Sequence, residues 1–366
     1  MTSSEKIAAV PAGEWVSTLS KVVSDNGYPV ELWIRNPESL TRFQKTHTLV
    51  IERSGVERLT IKMPENVTAS ADLDGVLDGA KRIIYGPDSV HYRELAEKVA
   101  PRLGPKAELL SVTKGLEQGT SLRMSQVLLE VDPSLEFRSA YLSGPTLAKE
   151  VVKRVETSTA IASYDADLQV SERFKKILSN SRFRVVPNPD VIGVELGGAL
   201  KNIYSMAAGI EAYFAGRRGV AGNRHAMLLT ASLAEMVKIG EALGAEPMTF
   251  TGLSGLGDLE LGFMGKTRNF DVGSQLARRK TREQIQSRGI LYEGLNTLPA
   301  IYDLVQERGI DAPIVRALYG LVFEEMKILD AVNQFMDMDV KDEYSGRRSL
   351  RFNVGRVFSR VRQTIP

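Results

Sequence analysis

Lys201 is the residue best placed to move a proton. It sits in Glu195-Leu-Gly-Gly-Ala-Leu-Lys-Asn202, where small residues let backbones approach closely. A lysine in such a cleft, partly desolvated or beside a second cation, loses basicity and becomes a usable general base. Thr251-Gly-Leu-Ser-Gly-Leu-Gly-Asp258 is a glycine-rich turn ending in a carboxylate that can orient an amine or hydroxyl. Gly265-Lys-Thr-Arg-Asn269 offers a guanidinium fork between neutral donors, a set that suits a phosphate oxyanion. Lys114 lies in Thr113-Lys-Gly-Leu-Glu117, directly after a strand candidate. Gly144 and Thr146, in Leu142-Ser-Gly-Pro-Thr-Leu-Ala148, follow another and could offer a backbone N–H and a hydroxyl. Taken singly, each segment also fits a solvated lysine, a helix N-cap, a polar loop or a plain strand-to-helix turn.

These groups need a scaffold. Short β-branched runs at Lys6–Val10, Val30–Ile34, Arg82–Tyr85, Leu109–Thr113, Ser139–Leu142, Ser158–Ser163 and Phe183–Val186 alternate with amphipathic stretches such as Tyr92–Val99 and Leu168–Leu178. That alternation predicts an α/β fold, a doubly wound parallel sheet with helices on both faces, whose ligands collect at the carboxyl ends of the strands. From Val194 to Leu329 helical periodicity takes over. The expected organisation is a Rossmann-like domain over residues 1–190, an all-helical substrate domain over 191–332 and a basic tail over 333–366, with Val186-Pro187-Asn188-Pro189-Asp190 as linker. In the tail, Arg347, Arg348, Arg351, Arg356, Arg360 and Arg362 accompany Leu350, Val354, Val357, Phe358 and Val361 on one helical face. The expected role is a helix packed on this chain or a second subunit, with an acidic or membrane partner as the other reading.

Composition narrows the chemistry. The 366-residue chain has no Cys, which excludes disulfides, thiolate metal sites and cysteine nucleophiles. Its three His, at 47, 91 and 225, lack metal-ligand spacing, so no metal is expected. A net charge of +2 gives no drive toward nucleic acid. Neither a signal-peptide core nor an apolar run of the ~20 residues needed for a membrane span is visible, which predicts a cytoplasmic protein.

In combination and in this order, the segments resemble the NAD(P)-dependent glycerol-3-phosphate dehydrogenases of bacterial type, from about Lys6 to about Leu329. The strongest pieces are Thr113–Glu117, Leu142–Glu150, Glu195–Ile203 and Gly252–Leu259, joined by Thr267–Asn269 and Glu293-Gly294. The resemblance implies interconversion of sn-glycerol 3-phosphate and dihydroxyacetone phosphate by a homodimer, with NADP or NAD as cofactor. It makes Lys201 the proton acceptor, with Lys114 and Asp258 beside it in the catalytic set. Lys114, Gly144, Thr146, Asp258, Thr267, Arg268 and Asn269 match substrate-contacting positions, and Ala148, Arg268 and Glu293 match positions that touch the dinucleotide. Gly13 and Trp15 match the phosphate-binding loop. Arg35 closes the second strand where an acid would bind a ribose 2′-hydroxyl, which favours NADP.

The dinucleotide loop departs from the family. Where the pattern resembles Gly-Ala-Gly-Ser-Trp-Gly, this chain has Pro11-Ala12-Gly13-Glu14-Trp15-Val16. Pro11 fixes φ and removes a donor. Val16 brings a β-branched side chain to the position whose glycine permits close helix–strand packing. Glu14 puts a carboxylate where pyrophosphate is expected, a repulsion of ~1–3 kcal/mol. The turn Tyr85-Gly-Pro-Asp88 differs too, since the family has Val-Pro after an apolar residue. These changes predict weak or absent dinucleotide binding. They leave a second function class open, a non-catalytic relative that holds a triose-phosphate.

Overall fold

The structure, a computed structural model, describes residues 5–53, 56–218, 222–265, 267–287 and 289–331. The tail arginines and their apolar face lie outside the described residues.

Eight strands form one sheet: β1 Ile7–Val10, β2 Val30–Trp33, β5 Val67–Ser70, β6 Arg82–Tyr85, β7 Glu108–Ser111, β8 Ser139–Ser143, β9 Thr157–Ser163 and β10 Phe183–Asn188. Their order is β10-β9-β8-β7-β6-β1-β2-β5. A separate antiparallel hairpin pairs β3 Thr48–Arg53 with β4 Val56–Lys62. β1 is buried throughout, as an unbroken apolar run demands of a central parallel strand. The winding reverses between β1 and β6, so the crevice for a ligand opens outside the carboxyl ends of these two strands.

Among the described residues, seven α-helices belong to this half: α1 Glu14–Asp25, α2 Pro37–Thr46, α3 Leu73–Leu77, α4 Tyr92–Val99, α5 Met124–Val131, α6 Ala148–Val152 and α7 Gln169–Leu178. From Val191 onward every named element is helical. They are α8 Val191–Arg218, α9 Gly222–Ala242, α10 Asp258–Phe263, α11 Arg268–Ala277, α12 Arg282–Gln286, α13 Glu293–Glu307 and α14 Pro313–Phe323, with short 3₁₀ and π turns before α10. α8 is buried on nearly all sides from Val191 to Ile210 because it is the spine of this half. Leu196, Leu200, Ile203, Tyr204 and Met206 are fully buried along it, and α9, α10, α11, α13 and α14 all pack on it.

The seven expected strands are present, and three expectations need correction. The sheet is mixed, because β8 pairs antiparallel with β9, and β10 runs parallel to β9. The expected linker is mostly strand: Val186, Pro187 and Asn188 pair with Ala160, Ile161 and Ala162, which leaves Pro189-Asp190 as the connection to α8. β10 is an edge strand, the place in a sheet where a Pro is tolerated. β3, β4 and β5 went unread, although Leu59 and Ile61 alternate with polar residues and are buried. Charged residues within the hairpin masked its period of two. Among the described residues, no helix is long and apolar enough to cross a membrane.

Candidate active site

Asp258 is the centre of the site. It opens α10, is fully buried, and spreads its two oxygens between two amines. Oδ2 accepts from Lys114 Nζ at 2.6 Å and Oδ1 from Lys201 Nζ at 2.9 Å. Lys114 stands just past the carboxyl end of β7 and Lys201 midway along α8, so the carboxylate joins the two halves of the fold. Lys114 also donates to Gly144 O at 2.8 Å. An ammonium has three donors, so Lys114 keeps one beyond these two contacts. Burial pushes its pKa down to about 8; Asp258 opposes that shift, and the Lys201 charge adds to it. The small residues of the α8 motif make the approach possible. A Cβ on Gly198 would lie 2.3 Å from Ser143 Oγ and 3.2 Å from Lys114 Cγ.

The phosphate set divides. Thr267 caps α11 by accepting from Phe270 N at 3.2 Å, and Arg268 is the first residue of that helix. Asn269, expected to hold phosphate as well, is buried and engaged elsewhere. Its Nδ2 donates to Asn202 Oδ1 at 2.9 Å and its Oδ1 accepts from Gly294 N at 3.0 Å. The amide therefore ties α11 to α8 beside Lys201 and to the start of α13, because a buried polar group must satisfy both its donor and its acceptor. Gly144 O accepts from Lys114 and, at 3.3 Å, from Thr146 Oγ1.

The remaining candidates surround the crevice beyond β1 and β6. Gly13 is the N-cap of α1, in extended conformation. Its N–H turns back to Pro11 O at 2.7 Å, and Ala12 N donates to Trp33 O at 3.0 Å. The first N–H groups of a helix have no intrahelical partner, and in this fold that end of α1 is the usual anion site. Trp15, Ala12 and Ala148, the first residue of α6, pack in one cluster. Arg35 is exposed past β2, its guanidinium 5.6 Å from the centre of the Trp33 ring. Glu293, the first residue of α13, reaches across to Ser89, beyond β6. Burial pushes its carboxyl above the usual carboxylate range, while the Ser89 bonds and the Arg268 charge pull it down.

Val16 does not obstruct the loop in the expected way. It is fully buried, and the neighbour that would collide with it is a glycine, Gly86. Ser89, Asn202 and Gly86 were not read as site residues. Asn202 and Gly86 stood inside segments already singled out, whereas Ser89 carries no local signal and matters only through what the fold sets against it. Also unread was the buried contact of Arg123 Nη1 with Glu195 Oε2 at 2.6 Å, which joins the turn before α5 to α8.

Comparison with known proteins agrees with this geometry. Residues 6–169 match the family described as NAD-dependent glycerol-3-phosphate dehydrogenase N-terminus, and residues 190–333 match its C-terminus counterpart. A glycerol-3-phosphate dehydrogenase [NAD(P)+] of Limosilactobacillus reuteri is 38% identical over 346 residues, which is 93% of this chain and 99% of the relative. One of the same description from Geobacillus kaustophilus is 35% identical over 342 residues, covering 93% of this chain and 96% of the relative. The crystal structure of glycerol-3-phosphate dehydrogenase from Coxiella burnetii superposes with a TM-score of 0.79 at 28% identity, over 91% of this chain and 99% of that one.

Proposed function

The chain belongs to the NAD-dependent glycerol-3-phosphate dehydrogenase family, and from that premise we propose that it interconverts sn-glycerol 3-phosphate and dihydroxyacetone phosphate with NAD(P). The observation that carries this is the Lys114–Asp258–Lys201 cluster, with both amines on one buried carboxylate at the junction of the two halves.

The crevice suits a dinucleotide except at Glu14, whose carboxylate stands in the first turn of α1. The first turn of α1 offers N–H groups to a pyrophosphate, Trp15 Nε1 is a buried donor without a partner among the described residues, and Arg35 is exposed for a 2′-phosphate. When bound, the dinucleotide supplies the hydride acceptor for the alcohol carbon. Gly13, Trp15, Arg35, Ala148, Arg268 and Glu293 are the residues to hold it. NADP is the preferred form in this reading, on the charge of Arg35.

Lys201 gives its proton to the oxygen formed when dihydroxyacetone phosphate is reduced and regains it from the hydroxyl in the reverse direction, with Asp258 Oδ1 holding the ammonium. Lys114 directs its third donor to a substrate oxygen and keeps its place through Gly144 O. Arg268 and the N-terminus of α11, with the Thr267 hydroxyl, receive the phosphate. Asn269 is a positioning residue that orients α11 and α13. A cytoplasmic homodimer completes the reading.

Purified protein should oxidise NADPH in the presence of dihydroxyacetone phosphate, with turnover falling at least ~10³-fold in Lys201→Met, at the upper part of the range for loss of a positioned acid–base group. A protein that binds glycerol 3-phosphate but turns over with neither NADPH nor NADH would instead be the non-catalytic relative.

A further inference from the structure

Gly86 has a spatial task that its own turn does not require. Its φ lies outside the left-handed range, so the backbone there would accept any residue. Space is what excludes a side chain: a Cβ on Gly86 would lie 2.5 Å from Val112 Cγ2 and 2.7 Å from Val16 Cγ2. Neither valine can readily give way. Val16 is 0% and Val112 5% exposed, and β-branched side chains have few rotamers to retreat into. The backbone is pinned as well. Gly86 N donates to Val10 O at 2.9 Å, Val112 N to Tyr85 O at 2.9 Å, and Thr113 Oγ1 to Pro87 O at 2.6 Å.

Val16 lies in the first turn of α1, and Gly86 lies at the carboxyl end of β6, across the same crevice. A glycine at the position of Val16 normally lets this helix settle closely on the sheet. Here the helix carries the side chain and the strand end carries none. We propose that Val16 and Gly86 are a reciprocal pair that sets how deeply α1 settles against β6, and so places residues 11–15 to receive the pyrophosphate of NAD(P). The volume absent from the turn after β6 is supplied from the helix, and the loop keeps its position without the usual glycine. Both residues are positioning residues. The inference rests on the reading of the crevice as a dinucleotide site.

The test is a cycle of Val16→Gly, Gly86→Val and the combined reciprocal variant, with NADPH binding followed by quenching of the two tryptophans, Trp15 and Trp33. Gly86→Val should weaken NADPH binding at least about tenfold, the scale of overpacking strain in a tight core. Its KM for NADPH should rise by a larger factor than its kcat falls. Val16→Gly should weaken binding less, because a void relaxes more readily than a collision. The reciprocal variant should return to within about threefold of the unchanged protein, and it remains informative if Gly86→Val fails to fold. A reciprocal variant that binds no better than the weaker single variant, or an unchanged protein that does not bind NADPH, overturns the pair. An unchanged protein that binds NADPH tightly yet does not turn over overturns the proposed activity and leaves the pair standing.

Discussion

Glu293 holds Ser89 across the crevice, taking its hydroxyl on Oε2 at 2.5 Å and its N–H on Oε1 at 3.2 Å. The contact joins the first turn of α13 to the turn after β6, and so the helical half to the sheet. Ser89→Ala removes a hydrogen bond to a carboxylate whose titration burial already disfavours in the charged form. We expect a loss of about 1–3 kcal/mol in unfolding free energy, the range for bonds to charged or buried groups. Urea unfolding without ligand measures it, and a loss below about 0.5 kcal/mol would mean that the contact does not bind the halves together.

Asp258→Asn should be among the most damaging single changes. Lys114 and Lys201 would face each other across a neutral amide, with their charges no longer compensated. Removing one partner of a buried ion pair costs about 3–5 kcal/mol. Turnover should also fall, since nothing would hold the Lys201 ammonium in place. A folded variant with near-normal melting temperature and activity would show that the carboxylate is dispensable.

Binding of glycerol 3-phosphate should depend on pH near 8. The Lys114 ammonium is pushed down to about 8, so it is a cation below that pH and loses its charge above it. A dianionic substrate favours the cation, so its dissociation constant should rise as pH passes upward through about 8. By linkage, the protein should take up protons on binding in that range. Calorimetry in buffers of different ionisation enthalpy reads the proton count. Lys114→Met should remove both effects, and their persistence in that variant would assign them elsewhere.

Coenzyme preference should follow Arg35. Its side chain is exposed past β2, where a 2′-phosphate can pair with it. Arg35→Asp should reduce kcat/KM with NADPH at least about tenfold relative to NADH, the worth of one such charged contact. An unaltered ratio would remove Arg35 from cofactor recognition.

A further pH effect belongs to stability. Glu235 on α9 accepts from Ile314 N and Val315 N, each at 2.9 Å, and so caps α14. Burial raises its pKa to about 7 against the direction of these bonds. The folded state therefore binds the proton more tightly than the unfolded state. Its contribution is full below the unfolded value near 4.5 and is lost as pH rises through about 7, by up to about 3 kcal/mol at 1.36 kcal/mol per unit. Glu235→Gln should flatten that slope in urea unfolding between pH 4.5 and 7. An identical slope in the variant would refute the assignment.

Much of this protein is local and therefore legible in sequence. The strand runs around β1 and β6–β10 declare themselves by β-branched content, and the switch at Val191 by a change of period. The chemistry-bearing motifs also show which side chains matter, since Lys114, Lys201 and Asp258 each stand where a turn or a close-packed helix can place a charge. What those side chains do to one another depends on distances that no spacing encodes. The bridge of Asp258 to both amines, the diversion of Asn269 into a buried amide contact and the grip of Glu293 on Ser89 all join residues far apart in the chain. The loop from Pro11 to Val16 shows the difference most clearly. Sequence alone identifies Val16 as a bulky residue at a position that asks for none. Whether bulk obstructs depends on the wall it meets, and only the tertiary structure decided that the wall is Gly86, with the missing side chain leaving the room that Val16 fills.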